Sequence, residues 1–177
     1  MRCDVAGGLD DRRSLFPESR GEGEARRRPH RARTRIVPTT DAAILFLCVA
    51  NSARSQIAEA VAREIAPAGV EVFSAGARSS RIHPFAVRVL DEIGIDASGQ
   101  YPKTFAQVPA ERISMVVTLC AEDVCPSLPA GVRRLEWPVD DPSAAGGSDQ
   151  EVLESFRRVR DLIRAKVVEL FSDESGR

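Results

Sequence analysis

Cys48 is followed by Val49-Ala50-Asn51-Ser52-Ala53-Arg54-Ser55, a thiol six residues ahead of a guanidinium with mostly small residues between them. Such a stretch can curl its backbone amides inward to make a nest for a tetrahedral oxyanion. Positions Val49, Ala50, Asn51, Ser52, Ala53 and Arg54 are then the oxyanion-binding set. Arg54 would grip two of the anion's oxygens with its planar fork, a geometry that lysine cannot offer. The same positive surroundings favour the thiolate of Cys48, which is the attacking species. Ser55 is placed to donate its hydroxyl to that sulfur, and Asn51 tolerates the left-handed backbone that a tight curl needs. The chain is rich in arginine, so the spacing alone is weak; its setting between a strand and a helix gives it weight.

Three further side chains could complete a reaction. Asp141-Pro142 offers an acid on a loop stiffened by proline. Attack on an oxyanion needs a proton donor opposite the nucleophile, because hydroxide leaves poorly; Asp141 is preferred over its neighbour Asp140. Cys120 and Cys125 form a second thiol cluster. In a reducing compartment a cysteine pattern points to metal or redox chemistry before structural disulfides. A structural zinc site wants four ligands in paired spacings, and the two histidines, His30 and His83, are remote in sequence from Cys120 and Cys125. No metal and no cofactor are therefore expected. Cys3 receives no role.

The elements that must position these groups alternate from residue 42 onward. Ala43 to Leu47 is a continuous apolar run, as for a strand buried on both faces of a parallel sheet. Ser55 to Ile65 carries Ile57, Val61 and Ile65 on one helical stripe. Val70 to Phe73 is a second strand, stopped by Ser74-Ala75-Gly76. Pro84 opens a helix with Phe85, Val89 and Ile93 on one stripe, closed by Gly94. Ile113 to Leu119 is a third strand running into Cys120, and Arg134 to Trp137 a fourth. Ser148 and Glu151 form a capping box ahead of a helix with Val152, Phe156, Val159, Ile163, Val167 and Leu170 at helical spacing. This order predicts an α/β fold of three layers, a four-stranded parallel sheet with helices on both faces. Ligands of such sheets bind at the carboxyl ends of the strands, where Cys48, Cys120 and Asp141 all emerge.

Composition bounds the rest. The 177 residues are 43% hydrophobic and 5% aromatic, so the core must be mostly aliphatic. The longest apolar run, Ala42 to Ala50, is far short of a membrane span. Residues 1–40 hold ten arginines against six acids, a net of +4, so the overall charge of −1 leaves −5 on the remainder. Rich in glycine and charge, 1–40 reads as a disordered basic extension before a single domain at 41–177. Arg12-Arg13-Ser14-Leu15-Phe16 lacks the apolar stretch an export signal needs. Acids are interspersed among the arginines and no folded motif accompanies them, so neither nucleic acid nor membrane is expected as a partner, and a cytoplasmic monomer is.

Taken together, Cys48, Arg54, Ser55 and Asp141-Pro142 resemble the signature of the low-molecular-weight tyrosine phosphatase fold, over roughly residues 42–171. Within that superfamily, LCVANSARSQ together with VVTLCAEDVCP resembles the thiol-dependent, thioredoxin-coupled arsenate reductases. The resemblance implies Cys48 as nucleophile, Arg54 as anion clamp, Cys120 as first resolving thiol and Cys125 as second. Arsenate would be the substrate, with phosphate or sulfate as mimics, and thioredoxin or another thiol the reductant. Many relatives carry a further cysteine where this chain has Ala53, and often a wider cysteine pair, which leaves the reductant open. Some bind potassium through equivalents of Asn51, Glu59 and Ser74 and a nearby acid; here Lys103 could stand in for the ion. In a helix, residues 120 and 125 would lie about 8.5 Å apart between Cα atoms, beyond the about 7 Å a disulfide tolerates, so the segment must unwind or start irregular. The rival reading is a phosphatase working through a Cys48 phosphocysteine. Against it, Ser143-Ala144-Ala145 follows Asp141-Pro142 where phosphatases of this fold typically carry tyrosine, and Trp137 reads as core. A non-catalytic oxyanion-binding or thiol-sensing module is the third possibility.

Overall fold

The computed structural model describes residues 43–120 and 130–172. Cys125, the segment that links it to Cys120, and the basic extension at 1–40 lie outside the described residues.

The four strands are β1 (Ala43–Cys48), β2 (Glu71–Gly76), β3 (Ile113–Thr118) and β4 (Arg133–Glu136). They form one sheet in the order β2-β1-β3-β4, every pairing parallel. All six residues of β1 are buried, as its unbroken apolar run requires of a central strand covered on both faces. β4 lies at the edge, and Arg133, Arg134 and Glu136 suit that place because charged side chains discourage pairing with a second sheet.

Three α-helices follow: α1 (Arg54–Ile65), α2 (Pro84–Asp91) and α3 (Asp149–Phe171). Proline sits in the first turn of α2, and His83 Nδ1 accepts the amide of Phe85 at 3.2 Å. Gly94 takes a φ of 78° just beyond the helix, a left-handed backbone that glycine adopts without strain. The capping box of α3 is formed as read: Glu151 Oε2 accepts the Ser148 amide at 2.7 Å, and Ser148 accepts the Glu151 amide.

β1 divides its side chains by parity. Ile44, Phe46 and Cys48 join the core built with α1, α2 and α3. Ala43, Leu45 and Leu47 face a smaller cluster with Val108 and Phe105. Those two residues come from a segment between α2 and β3 that contains 3₁₀ turns at Phe105–Gln107 and Ala110–Arg112. Helical structure thus covers both faces, with all the described α-helices on one side.

The second strand differs from its expected extent. It does not stop at Ser74 but continues through Gly76, pairing Ser74, Ala75 and Gly76 with Phe46, Leu47 and Cys48. Turn-prone residues are tolerated there because they bring β2 against the loop that follows β1. A Cβ on Gly76 would meet backbone atoms of Arg78, Asn51 and Val49 at 2.6, 2.7 and 2.9 Å.

Phe46 is fully buried, with its ring centroid 6.0 Å from that of Trp137, the chain's one tryptophan. Phe46→Ala is expected to cost about 3–5 kcal/mol through lost transfer energy and the cavity left behind. Urea unfolding followed by Trp137 fluorescence measures it directly; a loss below about 1 kcal/mol would show that this core face is not tightly packed.

Candidate active site

The sheet delivers the reactive groups by its register. Leu47 and Thr118 are partners on adjacent parallel strands, and the Leu119 amide donates to the Leu47 carbonyl at 2.8 Å. Cys48 follows Leu47 by one residue and ends β1, and Cys120 follows Thr118 by two, just beyond the end of β3; of the two, Cys48 lines the cavity described next. Both are buried. The Val139 amide in turn donates to the Leu119 carbonyl at 3.1 Å, which brings the segment carrying Asp141 to the same edge.

Between β1 and α1 the chain curls around a cavity of about 230 Å³ lined by Cys48, Val49, Ala50, Ser52, Ala53, Arg54, Arg78 and Asp141. Pockets for drug-sized molecules begin at about 300 Å³, so this one suits a small ion. No aromatic residue among the described residues lines it, and Trp137 packs against the core instead. α1 opens without a side-chain cap at Ala53 and without an acid in its first turn. Its first amides, which have no intrahelical partner, are therefore left to an anion.

Two hydrogen bonds converge on the sulfur. The Asn51 amide donates to Cys48 Sγ at 3.2 Å, and Ser55 Oγ lies 2.8 Å from the same atom. Ser55 also accepts a hydrogen from Asn51 Nδ2 at 2.9 Å, and toward a thiolate, which has no hydrogen to give, its own hydroxyl would be the donor. Both donors stabilise negative charge there.

Asn51 holds this arrangement from beneath. Of the expected oxyanion-binding set it alone does not line the cavity: its φ of 48° turns its amide to the sulfur and its side chain into the protein, fully buried. Nδ2 donates to Ser55 Oγ and, at 2.8 Å, to Ser74 Oγ. Oδ1 accepts the Lys103 amide at 2.6 Å and Gln56 Nε2 at 2.9 Å. Ser74 passes its hydrogen on to Glu59 Oε2. Glu59, fully buried, is met by Lys103 Nζ at 3.2 Å and by Arg63 at 2.5 Å. The Lys103 ammonium, also buried, makes a third contact with the Tyr101 carbonyl at 3.0 Å. It thus supplies the positive charge beside Glu59. Among the described residues no group of three His, Cys, Asp or Glu could hold a metal ion.

Arg54 is buried and donates Nη1 to the Val139 carbonyl and Nη2 to Asp141 Oδ2, each at 3.0 Å. Of the two neighbouring acids, Asp141 is among the residues that line the cavity and Asp140 is not. Burial would raise the Asp141 carboxyl, but hydrogen bonds from the Ser143 hydroxyl and amide, then the charges of Arg54 and His83, bring it below its ordinary value. His83 is held below its own usual range by burial, partly offset by Asp141. Its ring stacks on Phe156 at 4.5 Å, and its amide donates to the Ser52 carbonyl at 2.9 Å, tying α2 to the loop.

Sequence reasoning missed three contributors. Gly76 resembled a strand terminator, and only the packed loop shows why a side chain is not tolerated. Gln56, facing inward from α1, bridges Asn51 and the Tyr101 carbonyl. Arg78 lines the cavity from beyond β2, and no spacing rule links it to Cys48.

Comparison with known proteins now has a site to bear on. A family model described as low molecular weight phosphotyrosine protein phosphatase matches residues 43–175. An arsenate reductase of Halalkalibacterium halodurans is 43% identical over 126 residues, 70% of this chain and 91% of that protein. Among solved structures, an arsenate reductase in its phosphate-binding state superposes with a TM-score of 0.63 at 33% identity, covering 76% of this chain and 99% of the other. A thioredoxin-dependent arsenate reductase of Corynebacterium glutamicum gives 0.52 at 35% identity, covering 73% and 61%.

The Lys103–Glu59 contact yields a stability test. Removing one partner of a buried pair costs about 3–5 kcal/mol; because Arg63 still reaches Glu59, Lys103→Met is expected near the lower end. Adding Glu59→Gln removes the stranded charge and should restore part of the loss in urea unfolding. Strict additivity of the two substitutions would show that the pair is not coupled.

Proposed function

The chain belongs to the low-molecular-weight phosphotyrosine protein phosphatase family, and within that family we propose that it is an arsenate reductase whose reaction runs from Cys48 through Cys120 and Cys125. The observation that supports this reading is that Cys48 ends β1 and lines a cavity with no aromatic wall among the described residues, while Cys120 follows two residues beyond the end of the neighbouring strand β3. A phosphatase needs only the first thiol; a reductase needs the second beside it.

The chemistry follows from the groups present. Arsenate enters the loop, and Arg54 turns from Asp141 to the anion's oxygens, which it can grip in pairs. Asp141 then loses an ion-pair partner and gains a negative neighbour, so it can take the proton carried by a singly charged arsenate. The Cys48 thiolate attacks arsenic, an As–O bond breaks, and Asp141 returns that proton so that the oxygen leaves as water. Cys120 attacks the Cys48 sulfur; a sulfur–sulfur bond forms, the sulfur–arsenic bond breaks, and its electron pair stays on arsenic. Two thiols have been oxidised to one disulfide and arsenic(V) reduced to arsenic(III), which departs as arsenite. Cys125 then attacks Cys120, releasing Cys48 and leaving a Cys120–Cys125 bridge.

Thioredoxin or another dithiol would reduce that bridge, as suits a reducing cytoplasm. No helix among the described residues is long and apolar enough to cross a membrane. We expect no metal requirement, since the Lys103 ammonium already neutralises Glu59, and we expect the enzyme to act as a monomer.

Incubating the reduced protein with arsenate and mapping its disulfides by mass spectrometry tests the relay. A Cys120–Cys125 bridge that forms only with arsenate is the expected result. Aryl phosphate turnover that persists when Cys120 and Cys125 are both Ser, with no arsenate-dependent bridge in the native chain, would falsify reduction in favour of phosphoester hydrolysis. Arg54→Lys keeps the charge but loses the two-pronged grip; kcat/KM for arsenate should fall by about 100-fold or more, the scale of losing one transition-state donor. Near-native turnover in that variant would remove Arg54 from the clamp role.

A further inference from the structure

Arg54 is neutralised by Asp141 at 3.0 Å, so its guanidinium is already engaged when a negative oxyanion approaches. Among the described residues, Arg78 is the other cation lining the same cavity. Its side chain is exposed, and it makes no hydrogen bond or ion pair with the described residues. Its backbone is pinned: the amide donates to the Val49 carbonyl at 3.1 Å, so the residue is tied to the first turn of the oxyanion loop.

We propose that Arg78 is a second anion-binding arginine, which captures the incoming oxyanion at the mouth while Arg54 is still paired with Asp141. The assignment rests on the arsenate-reductase reading only for the identity of the substrate; any tetrahedral oxyanion entering this cavity meets the same two arginines. The roles divide by surroundings. Arg54 is buried and aimed, so its fork geometry matters. Arg78 is exposed, so its charge matters more than its shape, and its pull is screened over about 8 Å at physiological ionic strength.

The test compares Arg78→Ala and Arg78→Lys with the native enzyme, using arsenate turnover and, independently, phosphate binding by titration calorimetry. Exposed ion pairs set the lower bound and charge-assisted hydrogen bonds the upper. Arg78→Ala is expected to raise KM for arsenate and Kd for phosphate by about three- to tenfold at low salt, with kcat unchanged. The gap should shrink as salt is added, and Arg78→Lys should recover most of it, unlike Arg54→Lys. Unchanged KM and Kd in Arg78→Ala at low salt overturns the proposal, as does a loss that Lys does not recover. Phosphate binding that weakens in Arg78→Ala, in a protein that reduces no arsenate, would keep this assignment and sink the reductase reading instead.

Discussion

Asn51 is held in a left-handed backbone conformation, fully buried under the oxyanion loop, with both amide hydrogens and the carbonyl oxygen engaged by four partners. A non-glycine residue in this region costs about 1–3 kcal/mol, and each hydrogen bond returns about 0.5–1.5 kcal/mol. Four together are of the size needed to offset the strain, so the conformation is held by the protein's own contacts. What it achieves is the orientation of one backbone N–H and, through Ser55, one hydroxyl toward Cys48 Sγ. Asparagine is suited to the position because it combines tolerance of positive φ with two donors and an acceptor on a short stem.

The network beneath Asn51 ends in a buried carboxylate, Glu59, which would be costly alone. Lys103 and Arg63 compensate it from two directions, one buried and one half-exposed. The loop between β1 and α1 is thereby anchored to α1, β2 and the segment at 101–103 by groups that do not line the cavity. Gly76 adds a steric condition, since its bare Cα lets β2 approach the loop's backbone.

Above the loop the balance is electrostatic. Arg54 and Asp141 are paired, so in the proposed reaction clamp and acid stay engaged with each other until an anion competes for the guanidinium. Against the effect of burial, hydrogen bonds from Ser143 and then the charges of Arg54 and His83 hold the Asp141 carboxyl below its ordinary value, and under the proposed mechanism the substrate brings the proton that it delivers. A phosphatase and a reductase can share this much of the site. They diverge in what stands beside the nucleophile, a leaving alcohol's binding wall or a second thiol.

Much of this was legible in the residues themselves. The apolar run of β1, the stripes of α1 and α3 and the Ser148–Glu151 box identify elements because their signals are local and periodic. The loop from Cys48 to Arg54 is legible because its chemistry is contiguous. Asp141 and Cys120 were legible as residues delivered to the same sheet edge as Cys48, though not which strands are neighbours there. That comes from the strand order β2-β1-β3-β4, which sets β3 beside β1 where the chain's crossovers diverge. Nothing in the local pattern of β3 encodes which strand it will pair with. Gly76, Gln56 and Arg78 belong to the same category. Each acts on a loop 20 or more residues away or from the inner face of a helix, and its contribution exists only once two separate stretches of chain approach within hydrogen-bonding or van der Waals distance. Sequence alone determined which atoms could react; packing decided which of them meet, because contact is a property of the folded pair and not of either segment.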